Sequence, residues 1–301
     1  MSSATPSVYQ AYRPVKPARS VRVPIRTVSY HVLEWGRPGA PLLFLFHGWM
    51  DVAASWQFVV DALAGDRHVI AADWRGFGGT LSPQDSYWMP DYQADIDALL
   101  RHYSPDAPAD IVGHSLGGNV TTLYAGVRPE RVRRLVNLEG LGLAGLSAEE
   151  APLRMAQWLD QMAKPPTLST YASLDEVAAR LMRNNPRLSA ERAHFVAPHW
   201  AEPGADGRYV LRASPAHKII NPYIYRADEA AATWARITAP VLWVTARESG
   251  HVERFTNVPG YAERVARIRD RRHVWVEEAG HMLHHDQPER VATLIEEFLA
   301  D

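Results

Sequence analysis

The sequence predicts an α/β fold: a mostly parallel central sheet flanked by helices, with a helical segment inserted after the sixth strand. Three observations predict it. Leu42–Phe46 reads LLFLF, a short continuous apolar run of the kind a strand buried on both faces requires. Strand-like and helix-like stretches alternate up to Glu139 and again from Pro240, the pattern of βαβ crossovers. Between 142 and 233 the alternation stops, and no buried-strand run occurs there.

Taken in chain order, residues 1–20 are polar and proline-rich and read as a flexible arm. Val21 to Trp35 alternates apolar and polar residues and predicts two strands ending at the Gly36 to Gly39 turn. After LLFLF come a helix over Trp56 to Leu63 and a strand over His68 to Ala72. Tyr92, Ile96, Leu99, Leu100 and Tyr103 recur at helical spacing. Ile111 to Gly113 is a strand that runs straight into a helix from Leu116, and Arg134 to Leu138 is the next strand. The inserted segment carries AQWLDQM and LDEVAARLM, both helical. Pro240 to Thr245, a helix near Tyr261 to Ile268, His273 to Glu277 and a helix over Pro288 to Leu299 complete the pattern. The expected division is an arm over 1–20, a sheet core over 21–141 and 234–301, and a cap over 142–233.

Composition narrows the function classes. With 301 residues, 47% hydrophobic and 22% charged, the chain suits one large domain with a substantial core. A net charge of −2 supplies no field for nucleic acid or an anionic membrane. The chain has no cysteine, which excludes disulfides, thiolate catalysis and cysteine metal sites. The first twenty residues hold no apolar core of secretory length, and no stretch is long enough to span a bilayer. A cytoplasmic protein is the expectation.

The segment Ile111-Val-Gly-His-Ser-Leu-Gly-Gly118 contains Gly113-x-Ser115-x-Gly117. A sharp strand-to-helix turn needs small residues around the turning residue. It lifts the hydroxyl clear, while the following helix presents free N–H groups. A buried strand before and a helix after fit that reading, so Ser115 is the candidate nucleophile. Serine needs a base, and His281 stands out among thirteen histidines because it follows the last strand and a glycine and precedes the last helix. His281, His284 and His285 share an HxxHH spacing, but a metal needs three or four converging ligands and no second cluster is visible, so no metal is expected.

These motifs resemble the α/β-hydrolase superfamily over nearly the whole chain. His47-Gly-Trp49 is similar to the family's oxyanion loop, Asp73-Trp-Arg-Gly-Phe-Gly78 to its turn after the fourth strand, and Gly280-His281 with Pro288-Glu289 to its histidine loop. HGWMDVAASW and LEGLGL look most like the serine hydrolase-like branch, whose members include lid-bearing esterases. The resemblance implies an oxyanion hole formed by the backbone N–H groups of Trp49 and Leu116. The family most often keeps its acid shortly after the strand at VLWVT, where this chain has Ala246-Arg-Glu-Ser249. That departure leaves two candidates. Glu139, at the end of the preceding core strand, is favoured, because an unpaired charge there is costly and pairing with His281 relieves it. Glu248 is the alternative acid.

His47, Trp49, His114 and Trp158 are the candidate pocket residues, although His114 also reads as packing under the elbow and His47 as ordering the oxyanion loop. Trp158, Tyr171, Phe195, Trp200, Tyr223 and Tyr225 make the inserted segment rich in aromatics, suited to an apolar pocket or to a core of its own. Arg154, Arg180, Arg183 and Arg226 read as grips for an anionic group or, more simply, as solvated charges. The expected activity is hydrolysis of a small carboxylic ester through an acyl-enzyme, with no cofactor. A carbon–carbon hydrolase, thioesterase or acyltransferase using the same triad, and a non-catalytic ligand-binding homologue, are the alternatives.

Overall fold

A computed structural model describes residues 11–300. The strands β1 (Arg19–Ile25), β2 (Val28–Trp35), β3 (Leu42–Phe46), β4 (His68–Ala72), β5 (Ala109–His114) and β6 (Val132–Leu138) come first. The short β7 (Thr170–Tyr171), β8 (Ala201–Pro203) and β9 (Tyr209–Leu211) follow, then β10 (Val241–Ala246) and β11 (Arg271–Val276). The helices are α1 (Gln57–Ala62), α2 (Met89–Tyr103), α3 (Leu116–Val127), α4 (Ala151–Ala163), α5 (Leu174–Asn184), α6 (Ala190–Trp200), α7 (Ala227–Trp234), α8 (Gly250–Thr256), α9 (Tyr261–Val265), α10 (Leu283–Asp286) and α11 (Pro288–Ala300).

Eight strands form one sheet in the order β1-β2-β4-β3-β5-β6-β10-β11. Only β1–β2 and β2–β4 pair antiparallel; the remaining neighbours are parallel. The LLFLF run explains itself here. Leu43 and Leu45 enter the cluster packed by α1 and α11, while Phe44 and Phe46 enter the one packed by α2 and α3. A strand covered by helices on both faces has no polar side to show.

The strand order reverses at β3, whose neighbours are β4 and β5. Ligands of open parallel sheets bind at the carboxyl ends of the strands flanking such a reversal. His47 follows β3, Ser115 follows β5, Glu139 follows β6, Ser249 lies beyond β10 and His281 beyond β11. All the singled-out residues of the core therefore lie at one sheet edge.

The segment between β6 and β10 is not wholly helical. β7, β9 and β8 form a separate antiparallel sheet. Strands of two or three residues carry no readable alternation, which is why the sequence shows only the helices. This segment is tied to the loops of the core: Trp200 Nε1 donates to the Met50 carbonyl at 2.8 Å, and Gly78 N to the Arg212 carbonyl at 2.7 Å. At its end, α7 packs on α3 and α9, with Trp234 buried against Trp243.

The expected flexible arm needs correction where it is described; residues 1–10 lie outside the described residues. The Tyr12 ring packs edge-on against Phe58 and Phe195, and its hydroxyl donates to Asp61 at 2.7 Å. The backbone N–H groups of Val15 and Lys16 also donate to Asp61, and Arg19 already belongs to β1. One carboxylate on α1 thus collects three donors from a segment whose composition suggests disorder. No helix among the described residues is long and apolar enough to cross a membrane.

Candidate active site

Ser115 caps α3 with φ 52° and ψ −111°, a conformation rare for any residue but glycine. Its N–H donates to Leu138 O at 2.8 Å, which ties the turn to β6. The tightness needs the flanking glycines: a Cβ on Gly113 would lie 2.5 Å from Gly117 O, and one on Gly117 would lie 2.2 Å from Phe46 O. Asn119 is the first N–H of α3 to bond back, to Ser115 O, so Leu116 N–H is left without a partner in the helix.

His281 Nε2 stands 2.9 Å from Ser115 Oγ, and its Nδ1 stands 2.9 Å from Glu139 Oε2. A carboxylate only accepts, so Nδ1 carries the proton and Nε2 is free to accept from the serine hydroxyl. Glu139 is 3% exposed and has φ 57°. Its Oε1 accepts Ala246 N–H at 2.8 Å, and its Oε2 also accepts Ser249 Oγ–H at 2.6 Å. Three donors surround this buried carboxylate, which is what burial of a charge demands. Glu248 is exposed, pairs with Arg187 on the surface and does not reach His281.

The loop after β3 closes the other side. His47 is fully buried. Its Nε2 accepts Trp74 N–H at 2.9 Å, so its Nδ1 holds the proton and donates to Gly48 O at 2.8 Å. Burial lowers the His47 pKa and keeps the ring neutral, as that pattern requires. The Gly48 carbonyl and the Trp49 N–H share one trans peptide and point in opposite directions. Anchoring the carbonyl on His47 therefore aims the Trp49 N–H away from it. A Cβ on Gly48 would come within 2.9 Å of His114 Nδ1 and 3.3 Å of Ser115 Cβ, so this loop lies directly against the elbow.

A cavity of about 610 Å³ opens beside this edge, lined by Trp49, Leu116, Tyr87, Trp88, Tyr223 and Tyr225 among others. Three expected pocket residues lie elsewhere. His47 is under the loop. His114 is 1% exposed and donates from Nε2 to the His281 carbonyl at 2.7 Å, so it holds the histidine loop in place; burial puts its pKa well below the ordinary histidine range. Trp158, on α4, is half-buried and is not a lining residue. Tyr171, Phe195 and Trp200 pack in the apolar core, whereas Tyr223 and Tyr225 face the cavity.

The structure adds residues that sequence reasoning missed. His217 is stacked between Phe77 and Tyr87, each centroid 3.7 Å away, and its carbonyl accepts from Trp49 Nε1. Burial pushes its pKa down to about 3. His251 stacks on His281 at 3.8 Å. The expectation of no metal rested on a missing ligand, and the fold supplies one from the loop after β3. Asp51, His284 and His285 each offer an atom within 4.8 Å of the others, all three buried, and they are the residues that could hold a cation. Burial works against the Asp51 carboxylate, yet His284 and His285 facing it hold its pKa far below the usual range.

Comparison with known proteins agrees with this architecture. A serine hydrolase-like protein of Danio rerio is 27% identical over 293 residues, covering 94% of this chain and 88% of that protein. The 2-(acetamidomethylene)succinate hydrolase of Mesorhizobium japonicum is 28% identical over 233 residues, covering 76% and 78%. A thioesterase domain from the curacin biosynthetic pathway superposes with a TM-score of 0.80 at 23% identity, covering 93% of this chain and 99% of that one. Residues 41–288 match the family model described as the alpha/beta hydrolase fold, and the chain belongs to that family.

Proposed function

We propose that the protein is a serine hydrolase that cleaves carboxylic esters through an acyl-enzyme. The observation that carries this reading is the unbroken relay from Ser115 Oγ to His281 Nε2 and from His281 Nδ1 to Glu139, both links at 2.9 Å. His281 takes the hydroxyl proton as Ser115 attacks the carbonyl. Glu139 holds the tautomer and stabilises the imidazolium. The N–H groups of Trp49 and Leu116 receive the oxyanion, the first aimed by His47 and the second freed by its place at the start of α3. His281 passes its proton to the leaving alkoxide, then activates water against the acyl-enzyme. Residues 142–233 act as the cap, and the substrate is a small molecule bound in the cavity beneath.

Thioester hydrolysis uses the same steps, and the structural neighbour named as a thioesterase keeps it in view. Burst kinetics on p-nitrophenyl butyrate beside turnover of butyryl-coenzyme A separate the two by the ratio of kcat/KM. A fluorophosphonate probe tests the shared mechanism: wild type is labelled and Ser115→Ala is not. An unlabelled wild type, or equal labelling of the variant, would overturn the proposal in favour of a non-catalytic binding protein.

A further inference from the structure

Of the four arginines singled out from the inserted segment, three have an ordinary account. Arg180 and Arg183 on α5 are exposed, and Arg226, which also borders the cavity, is exposed and already paired with Asp228. Arg154 differs. It projects from α4 into the wall of the cavity that Trp49 and Leu116 also line, and it is half-buried. Its Nε donates to the Asn221 carbonyl at 2.7 Å. Among the described residues no carboxylate lies within ion-pairing distance of it. Glu229 also borders the cavity but is exposed, where water screens it.

A guanidinium has five N–H donors in a fixed fork. Using Nε on a backbone carbonyl pins the group and leaves the two terminal nitrogens as a free edge. Holding a cation half out of water with no counter-charge costs stability unless something else compensates. The free edge suits a carboxylate, which it engages with two parallel hydrogen bonds. The surrounding aromatic wall raises the strength of that contact by excluding water.

We infer that Arg154 is a specificity determinant: the cavity takes esters whose chain carries a carboxylate away from the scissile carbonyl, and Arg154 binds that carboxylate. The inference rests on the cavity serving the proposed esterase site. The test compares p-nitrophenyl hexanoate with the mono-p-nitrophenyl ester of adipic acid, equal in chain length and differing in the terminal carboxylate. Wild type should favour the adipate ester by about 10- to 100-fold in kcat/KM, mostly through KM. Arg154→Gln should bring that ratio to one or below, and Arg154→Lys should retain part of it. A wild type that prefers hexanoate, or a substitution that slows both esters by the same factor, overturns the inference. Should neither ester turn over, equilibrium binding of free adipate, read by quenching of the lining tryptophans, decides it separately. Wild type then binds and Arg154→Gln does not; no quenching in wild type sinks the anion site whatever the chemistry at Ser115.

Discussion

Glu139→Gln should leave the protein folded and lower kcat by about 10³- to 10⁴-fold, approaching the roughly 10⁴-fold drop on amide replacement of a triad acid. That corresponds to about 4–5.5 kcal/mol of transition-state stabilisation. The magnitude follows from the hydrogen bonds. Oε1 must accept from Ala246 N–H, so the glutamine oxygen goes there and its NH₂ replaces Oε2. The NH₂ group then faces Ser249 and His281. Ser249 can rotate its hydroxyl and accept. His281 can accept only by losing its Nδ1 proton, which moves the proton to Nε2. A ring protonated at Nε2 donates to Ser115 instead of accepting from it, and the serine keeps its proton. The opposite amide orientation sets two N–H donors against each other at Ala246, at a cost of about 1–3 kcal/mol. Glu248→Gln breaks only a surface pair with Arg187, worth at most about 1 kcal/mol, and should stay within about three-fold of wild type. Burst kinetics on p-nitrophenyl butyrate measure both, with circular dichroism as the folding control. A folded Glu139→Gln within ten-fold of wild type, or a dead Glu248→Gln, would refute the assignment of the acid.

Two more outcomes follow from the same geometry. Gly48→Ala forces a methyl to 2.9 Å from the buried His114 ring and 3.3 Å from Ser115 Cβ. The loop must shift, so kcat should fall at least about ten-fold, with about 1–3 kcal/mol of stability lost to overpacking; an unchanged kcat would show that the loop does not set the Trp49 N–H. Stability should also fall as the pH drops from 7.5 to 5.5. Burial takes the His285 pKa from the ordinary 6.5 to about 3, so in that window the unfolded chain binds a proton that the folded chain refuses. Stability from this group is complete above 6.5 and declines toward pH 3. At pH 5.5 the loss is about 1.4 kcal/mol for His285 alone, and the depressed pKa values of His47 and His114 add with the same sign. Urea denaturation at the two pH values measures it. An equal or greater stability at pH 5.5 contradicts the burial of neutral histidines.

The sequence carries the elbow and the buried strands because both are local. Gly113, Ser115 and Gly117 sit within one turn, and LLFLF and VLWVT announce strands covered on both faces. Relations made by tertiary packing are less legible. Nothing in the spacing of Asp51, His284 and His285 says that a loop and a short helix, more than two hundred residues apart, bury them together. The aromatics of the inserted segment show the same limit. Trp158 and Tyr223 are both apolar with a polar tip, and only the fold decides that one leaves the cavity wall and the other joins it. His217 could have been found only by knowing that the turn after β4 would bring Phe77 alongside it.

The departure at the acid position is explained by the order of three strands. β10 lies between β6 and β11. A carboxylate beside His281 can therefore come from the end of β10 or reach over it from β6. Glu139 reaches over: its N–H bonds to Val244 O of β10, and its positive φ turns the chain so that its carboxylate meets Ala246 N–H. Ser249, in the stretch after β10 where the resemblance places the family's usual acid, then stands 2.6 Å from Oε2 as a donor. An aspartate there would set two carboxylates in contact in a buried site, where one must stay protonated. With serine there instead, the hydroxyl serves Glu139 as a donor, and the charge count beside His281 stays at one.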